Sequence, residues 1–203
     1  MENEFKVVLL GEGKVGKTSM ILRYTQNFFT PEEGPRTTQA SYVSKTLNID
    51  KNDYIINIWD TAGQEKYQAL TPIYYRDSQG AILVYDITEP RSFQRVQTEV
   101  DNIRDMLGDS CCIVIVGNKM DLVQQRKISK EEADKYAESV KAIHYLCSCA
   151  TGDGISDVFE GLTKQMVDKR KSLGDDELFD RKKSTLVFQD DKNNTRQAKS
   201  DCC

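Results

Sequence analysis

The chain has 203 residues and a formal net charge of −4, which suits one domain with a tail and argues against a protein that binds nucleic acid through bulk positive charge. Its acidic first residues are not typical of a secretory signal, and no apolar run approaches the roughly 18 residues of a membrane-spanning helix. The six cysteines lack zinc-site spacing, and together with the single histidine they favour a reduced, cytosol-facing protein over a disulfide scaffold.

Four short, continuous apolar runs predict buried strands of a sheet that is covered on both faces. They lie at 5–10, 80–86, 111–117 and, more weakly, 143–147. Segments 41–49 and 54–60 instead alternate apolar and polar residues, and the turn-rich 50–53 separates them. This pair predicts a hairpin, so one edge strand of the sheet is expected to be antiparallel.

Helical patterns fall between and after these strands. Apolar residues recur at helical spacing over 93–107 and 155–167, and Ser129 with Glu132 forms a capping-box pattern before another helix. Strands that alternate with helices predict an α/β fold with a parallel sheet. After about residue 172 no period is sustained and acids mix with bases, which predicts a domain over 1–172 and a flexible tail over 173–203.

The segment GEGKVGKT at 11–18 matches the phosphate-loop pattern G-x-x-x-x-G-K-[ST] between a predicted strand and a predicted helix. Its glycines let the backbone curl so that successive N–H groups face phosphate oxygens, and the helix N-terminus adds positive potential. We expect Lys17 to contact the β- and γ-phosphates and Thr18 to give a hydroxyl to Mg²⁺. The pattern therefore predicts a nucleotide site without naming the base.

The segment VGNKMD favours guanine. It places Asn118, Lys119 and Asp121 in the loop after a predicted strand. A carboxylate at Asp121 can accept hydrogen bonds from guanine N1–H and the 2-amino group, and adenine offers neither donor there. The N-K-x-D pattern is weak alone but specific when it follows a phosphate loop.

The segment WDTAGQE supplies the third part of the predicted site. Asp60 ends an apolar strand, where a carboxylate can hold Mg²⁺ through water. Gly63 can bring its N–H to a γ-phosphate, and Gln64 can orient an attacking water as the catalytic residue. A polar turn is the alternative interpretation of this segment when it is considered alone.

Together these motifs resemble the Rab family of Ras-like small GTPases. WDTAGQE, YYR and LVYDIT match the family's patterns, and GEGKVGKT, TQASY, PIYYRDSQGAILVYDIT and MLGD are most similar to its early-endosomal, Rab twenty-one-like members. The resemblance covers about residues 5 to 170 and the very end of the tail. It implies a P-loop NTPase small G domain of the α/β class, with a six-stranded, mostly parallel sheet, one antiparallel edge strand and five flanking helices.

The resemblance also assigns roles that spacing alone does not. Thr37 would bind Mg²⁺ and the γ-phosphate in the GTP state, with Thr38 as the alternative, and Phe29 would pack on guanine, with Phe28 as the alternative. Tyr42, Trp59 and Tyr74 resemble the aromatic triad that effectors contact, with plain core packing as the alternative.

The guanine loop departs from the family's usual Ser-Ala-Lys. It is Ser148, Cys149 and Ala150, so the backbone N–H of Cys149 keeps the contact to guanine O6 while the lysine stem that lies on the base is missing. Lys14 adds a charge to the phosphate loop, where it strengthens phosphate binding or points to solvent. The full predicted nucleotide-binding set is Gly13, Lys14, Val15, Gly16, Lys17, Thr18, Ser19, Phe29, Thr37, Gly63, Asn118, Lys119, Asp121, Ser148, Cys149 and Ala150, and the Mg²⁺ set is Thr18, Thr37 and Asp60.

The implied function is a GTP/GDP switch in endosomal or phagocytic vesicle traffic that hydrolyses GTP slowly and recruits effectors in the GTP state. The expected partners are an exchange factor, a GTPase-activating protein, effectors, a GDP-dissociation inhibitor and an escort protein, with a monomeric protein and no nucleic acid. A P-loop nucleotide kinase and a GTP-binding module without hydrolysis are the alternatives.

The chain ends in Cys202 and Cys203, which resembles the double geranylgeranylation signal of Rab proteins. One lipid chain gives marginal, reversible membrane binding, whereas two hold firmly. The implied location is the cytoplasmic face of membranes, with endosomes as the expected compartment and a cytosolic pool. A vicinal disulfide is the alternative, and it is disfavoured in reducing cytosol.

Overall fold

A computed structural model describes residues 3–31, 41–60 and 76–172 of the chain. These residues form one six-stranded sheet. Its strands in chain order are β1 (Glu4–Leu10), β2 (Ser41–Ile49), β3 (Asn52–Asp60), β4 (Gly80–Asp86), β5 (Cys112–Asn118) and β6 (Ile143–Leu146). The spatial order is β2-β3-β1-β4-β5-β6, so the chain crosses over between β3 and β4 on either side of β1.

The predicted edge strand is confirmed, because β2 pairs antiparallel with β3. The other four pairings are parallel. Parallel strands end at the same side of a sheet, and the registers pair Leu9 with Asp60 and Asp86 with Asn118. The ends of the strands that precede the three predicted motifs therefore meet at one edge.

Burial explains why the continuous apolar runs form strands. All seven residues of β4 are buried, and so are six of the seven residues of β5. A strand in this position is covered by helices on both faces and has no polar side to expose. Buried side chains of β1, β4, β5 and two helices pack in one hydrophobic cluster that includes Tyr85, Phe93 and Ile115.

The hairpin turn is shorter than the predicted 50–53. Strand β3 already begins at Asn52, which leaves Asp50 and Lys51 as the only two turn residues, with φ values of 50° and 68°. Two consecutive positive φ angles are typical of a two-residue hairpin turn whose twist matches that of the strands. The Asn48 side chain donates to Asp53 Oδ1 at 2.6 Å across the pair, so 52 and 53 extend the ladder instead of the turn.

Four α-helices lie in the described ranges, and the fifth helix that the resemblance implies stays a prediction. They are α1 (Lys17–Gln26), α2 (Pro90–Leu107), α3 (Lys130–Ser139) and α4 (Ile155–Ser172). The predicted cap of α3 is confirmed, because Ser129 Oγ accepts from the N–H of Glu132 at 3.1 Å. Within these ranges no helix has the length and apolar character needed to cross a membrane.

Candidate nucleotide-binding site

Hydrogen bonds join the predicted motifs at the carboxyl edge of the sheet. Asn118 Nδ2 donates to the carbonyl of Val15 at 2.8 Å, which ties the guanine motif to the phosphate loop. Thr18 Oγ1 donates to Asp60 Oδ2 at 2.6 Å, which ties the phosphate loop to the end of β3. Segments that are far apart in sequence thus form one cluster, as the motifs predict, and the roles of the single residues stay predictions.

The phosphate loop needs glycine where it meets Asn118. Gly16 has a φ of 101°, and a Cβ at this position would lie 2.3 Å from Asn118 Nδ2. Any side chain would therefore be strained and would separate the two motifs. Lys14 also has a positive φ, of 68°, and its side chain is exposed, which agrees with the solvent-facing alternative.

Lys17 is the first residue of α1 and is 6% exposed. Its ammonium donates to the carbonyls of Gly11 and Glu12 at 2.9 and 2.8 Å, so the side chain lies along the curled loop. Burial lowers the pKa of Lys17 to about 8, although the Asp60 carboxylate opposes this shift. A buried cation whose charge is held mainly by backbone carbonyls is suited to an incoming anion.

Asp60 and Thr18 fit a hard cation. The Asp60 side chain is fully buried, and its Oδ1 has no hydrogen-bond partner among the residues that the structure describes. Burial raises the pKa of Asp60, while the hydrogen bond from Thr18 and the charge of Lys17 lower it. A buried carboxylate oxygen without a partner next to a hydroxyl provides the oxygen ligands that Mg²⁺ prefers.

At the base end, Asn118 is buried, and both the nitrogen and the oxygen of its side-chain amide form hydrogen bonds. Its Oδ1 accepts from the N–H of Cys149 at 3.2 Å and from the thiol of Cys147 at 3.6 Å. The Cys149 N–H is the donor that the resemblance assigns to guanine O6. In the structure it points at Asn118, so the contact to the base stays a prediction.

Lys119 takes a positive φ of 64°, and its ammonium contacts Asp86 Oδ2 at 2.5 Å. Asp86, the last residue of β4, also accepts from the N–H and the hydroxyl of Thr88 at 2.8 and 2.7 Å. Burial alone would raise the pKa of Asp86, but the hydrogen bonds from Lys119 and Thr88 outweigh it and lower the pKa below its ordinary value. The sequence interpretation missed Asp86, although a carboxylate at the end of a buried strand was a usable signal.

Ser148 connects the two loops that were predicted to contact the base. Its hydroxyl donates to Asp121 Oδ1 at 2.5 Å and accepts from the N–H of Thr151 at 3.1 Å. One carboxylate oxygen of Asp121 is thereby held by the protein. The fixed carboxylate is exposed, as a group that reads a ligand must be.

Cys149 packs beneath the phosphate loop. It is 4% exposed, and its thiol lies 3.7 Å from the carbonyl of Gly16. Burial raises the pKa of Cys149 to about 11, so the group is a thiol at neutral pH. Ala150, the next residue, is exposed.

Arg23 on α1 is a second residue that the sequence interpretation missed. Its guanidinium donates to the carbonyls of Cys149 and Ala150 at 2.9 and 2.5 Å, and its central carbon lies 5.9 Å from the ring centroid of Phe29. Phe28, the alternative to Phe29, is 52% exposed. Phe29 therefore lies beside the arginine that holds the guanine loop, and a lone arginine in a helix gave no signal of these contacts.

Two of the three predicted effector aromatics lie side by side on the β2–β3 hairpin. The rings of Tyr42 and Trp59 are 5.2 Å apart in an edge-on arrangement, and Tyr42 is 52% exposed. Lys6 extends over the Trp59 ring with 5.6 Å between its ammonium and the ring centroid. Other predicted residues lie outside the described ranges, and these are Thr37, Thr38, Gly63, Gln64, Tyr74, Cys202 and Cys203.

Comparisons with known proteins show what the chain is similar to. The Ras family model matches residues 6–168. The chain is similar to Ras-related protein Rab-21 of Mus musculus, at 46% identity over 205 aligned residues that cover 98% of this chain and 91% of the mouse protein. It is 54% identical to Ras-related protein Rab-21 of Homo sapiens over 164 residues, or 81% and 72% of the two chains. Ras-related protein RabC of Dictyostelium discoideum is 36% identical over 170 residues, or 82% and 86%.

Proposed function

Because the chain belongs to the Ras family of small GTPases, and within it to the Rab proteins, we propose that it is a GTP/GDP switch at the cytoplasmic face of endosomal membranes. As a member of this family it is an enzyme that hydrolyses GTP to GDP and phosphate and acts in membrane trafficking. The observation that best supports the switch is the bond from Asn118 Nδ2 to the carbonyl of Val15. This bond ties the base loop to the phosphate loop, so that a single nucleotide can span both.

The phosphates are proposed to bind over the phosphate loop, at the start of α1. Lys17 already extends along the loop, so it can turn its charge to the β- and γ-phosphates without leaving its buried position. Gly13, Lys14, Val15, Gly16, Thr18 and Ser19 complete the proposed phosphate set. Successive N–H groups and a positive helix end supply the remaining hydrogen bonds.

Mg²⁺ is proposed to be held by Thr18, Asp60 and, in the GTP state, Thr37. When bound, the ion supplies positive charge that offsets the charge of the β- and γ-phosphates. The chain's own contribution is to keep Asp60 buried with an oxygen that has no partner among the described residues, which leaves a ligand for the cation.

Guanine is proposed to lie between Phe29, Asn118, Lys119, Asp121 and the 148–150 loop. Asp121 would accept from N1–H and the 2-amino group, and it is already oriented by Ser148. A site built to accept those two donors rejects a base that lacks them. This arrangement favours a guanine nucleotide over the adenine nucleotide of a typical P-loop kinase.

Switching is proposed to follow from contacts of the γ-phosphate with Thr37 and Gly63, which hydrolysis removes. Gln64 would orient the attacking water. Effectors would bind the GTP form better through Tyr42, Trp59 and Tyr74, and that difference in affinity is the signal. Regulators and effectors are expected for the family, and the specific proposal is an exchange factor, a GTPase-activating protein, a GDP-dissociation inhibitor and an escort protein acting on a monomer.

The anchor is proposed to be two prenyl groups on Cys202 and Cys203. The tail over 173–203 would then act as a tether between the bilayer and the domain over 1–172. We expect Cys202→Ser combined with Cys203→Ser to abolish membrane association and leave GTP binding normal. Membrane flotation and the intact mass of protein from cells decide this, and an unmodified wild-type mass would refute the anchor.

The function as a whole is tested by single-turnover hydrolysis and by pull-downs of protein loaded with GDP or a non-hydrolysable GTP analogue. Gln64→Leu should bind GTP normally and hydrolyse it at least about tenfold more slowly. Partners should be captured preferentially by the analogue-loaded form. Equal capture in both nucleotide states would contradict a switch, and wild-type hydrolysis in the variant would remove Gln64 from the mechanism.

A further inference from the structure

The guanidinium of Arg23 holds two consecutive carbonyl groups of the loop that follows β6. Nε donates to the carbonyl of Cys149 at 2.9 Å, and Nη2 donates to the carbonyl of Ala150 at 2.5 Å. Nη1 donates to the carbonyl and the side-chain oxygen of Asn27 at 3.3 and 3.1 Å. All three nitrogens of one rigid fork are engaged, which fixes the loop relative to α1 in a way that a single point charge could not.

Fixing these carbonyls also fixes the direction of the neighbouring N–H groups. A peptide unit is planar and trans, so its C=O and N–H point in opposite directions. With the carbonyl of Cys149 held by Arg23, the N–H of Ala150 is turned away from α1. With the carbonyl of Ala150 held, the N–H of Thr151 is turned away as well, and that N–H donates to Ser148 Oγ at 3.1 Å.

The same chain of contacts continues to Asp121. Ser148 accepts from Thr151 and donates to Asp121 Oδ1 at 2.5 Å. Arg23 is therefore linked, through the one peptide unit between Ala150 and Thr151 and the Ser148 hydroxyl, to the carboxylate proposed to read guanine. On its other side the guanidinium lies 5.9 Å from the Phe29 ring centroid, so one side chain contacts both the loop and the aromatic residue proposed to pack on the base.

We propose that Arg23 is a positioning residue for guanine recognition, which fixes the 148–150 loop so that the N–H of Ala150, turned away from α1, faces the edge of the base that carries the 6-oxo group and N1–H. This inference rests on the proposed function. A plain structural role, in which Arg23 only joins α1 to the loop, makes a different prediction, because it would weaken the binding of every nucleotide alike.

The test compares the release of three diphosphates from the full chain. GDP and inosine diphosphate both keep the 6-oxo group and N1–H, whereas the diphosphate of 2-aminopurine riboside lacks both. Arg23→Met keeps an unbranched stem and removes all the donors. We expect it to speed the release of GDP and of inosine diphosphate by about tenfold, on the scale of one lost charge-assisted hydrogen bond. Release of the aminopurine nucleotide should be accelerated by a clearly smaller factor, because its base has only the proposed contacts to Asp121 and Phe29 to lose.

Arg104 provides a matched control. It holds the carbonyls of Cys111 and Val140 at 3.1 Å each, at the opposite edge of the sheet from Asn118. Arg104→Met removes the same kind of bonds from the fold, and we expect it to leave the release of all three nucleotides unchanged. The thermal midpoint of each variant reports how much the fold itself has been weakened.

Equal acceleration of all three nucleotides by Arg23→Met would overturn the proposal, and so would unchanged release of GDP. If Arg23→Met does not fold, Arg23→Lys decides the same question, since an ammonium lacks the planar fork whose three nitrogens reach the two carbonyls and Asn27 at once, and the same selective pattern is expected. A wild-type chain that retains no GDP overturns the proposed function and this inference with it. Retention of GDP by a chain that is indifferent to Arg23 overturns the inference alone.

Discussion

The base end of the site, around Asn118 and Ser148, contrasts with the phosphate end, around Lys17 and Asp60. At the base end the polar side chains are engaged inside the protein: Asn118 bonds to two loops, and Ser148 bonds to Asp121 and Thr151. At the phosphate end a buried ammonium is held by backbone carbonyls. Asp60 keeps a buried oxygen that has no hydrogen-bond partner among the described residues.

This difference assigns the choice among nucleotides to the base end and most of the stabilisation gained on binding to the phosphate end. A network that is satisfied before binding needs little rearrangement when the base arrives, so its fixed geometry can discriminate among bases. Buried charges that are incompletely paired are costly until a phosphate and a cation neutralise them. Nucleotide binding should therefore stabilise the fold mainly through its phosphates, while the choice of nucleotide is made at the base end.

The largest effect is expected from a substitution that disrupts the base end alone. Asp121→Asn replaces an acceptor of two hydrogen bonds with a group that also donates, so donor faces donor against guanine. We expect GDP affinity to fall by about 1,000-fold and xanthosine diphosphate to be preferred, because two hydrogen bonds to a charged group are lost. Competition binding with the two diphosphates measures the ratio. Equal affinity of the variant for both would remove Asp121 from the base pocket.

Lys17→Met breaks the phosphate end. We expect GDP affinity to fall by about 100-fold through the loss of a charged donor. The nucleotide-free variant should unfold with a free energy equal to or above that of the wild type, because a costly buried charge is gone. Chemical denaturation without nucleotide checks this second part. A clear loss of stability would mean that Lys17 supports the fold and that the contrast between the two ends is wrong.

Asn118→Ala tests the opposite expectation at the base end, where the substitution should destabilise the fold even without nucleotide. It leaves the carbonyl of Val15 and the N–H of Cys149 without their buried partner. We expect the free energy of unfolding to fall by about 1 to 3 kcal/mol even without nucleotide. Asn48→Ala, at an exposed bond to Asp53, is the control and should change stability by less than about 0.5 kcal/mol. If Asn118→Ala and Asn48→Ala change the free energy of unfolding equally, the hydrogen bonds of Asn118 do not give the base end a structural role.

Proton uptake by Lys17 on nucleotide binding provides a further test of the phosphate end. The pKa of Lys17 is lowered by burial to about 8, and a bound phosphate favours the charged form and raises that pKa. Binding above pH 8 must therefore take up a proton, and affinity should fall by up to about tenfold per pH unit as the pH rises. Well below pH 8 Lys17 is charged in both states and contributes no such dependence. Calorimetry at pH 8.5 in buffers of different ionisation enthalpy measures the uptake, and Lys17→Met should lack this contribution.

The smallest effect is expected from a substitution that tests how completely the protein covers the face of the bound guanine. Ala150→Lys restores an aliphatic stem that can lie on guanine, and we expect GDP release to slow by about two- to fivefold, or roughly 0.5 to 1 kcal/mol. Ala150→Met offers a stem without the charge and should give part of the effect. Unchanged release would indicate that Arg23 and Phe29 already cover that face of the base.

The sheet could be predicted because its strands are buried on both faces. The runs at 80–86 and 111–117 are apolar apart from the final Asp86, and β4 matches its prediction residue for residue while β5 is shifted by one. The turn of the hairpin was harder, since Asp50 and Lys51 take the positive φ angles that asparagine and glycine usually signal. Composition predicted a turn there, but the number of turn residues depends on pairing across the strands.

The motifs predicted which segments meet, but not what holds them. Val15 and Asn118 were both predicted site residues, and the bond between them follows from the motifs. Arg23 could not be found this way, because its partners are the carbonyls of Cys149 and Ala150, more than 120 residues away and without a side-chain signature. Long-range contacts to backbone depend on the completed fold and leave no local pattern in sequence.

The rate at which the buried thiol of Cys149 is alkylated reports on motion at the base end of the site. Alkylating reagents attack the thiolate, and a group that is 4% exposed with a pKa raised to about 11 presents almost none of it. Modification at this position must wait for the 148–150 loop to lift from the phosphate loop. The labelling rate of Cys149, followed by peptide mass, therefore counts the openings of the base end directly, with no substitution and no fluorescent nucleotide.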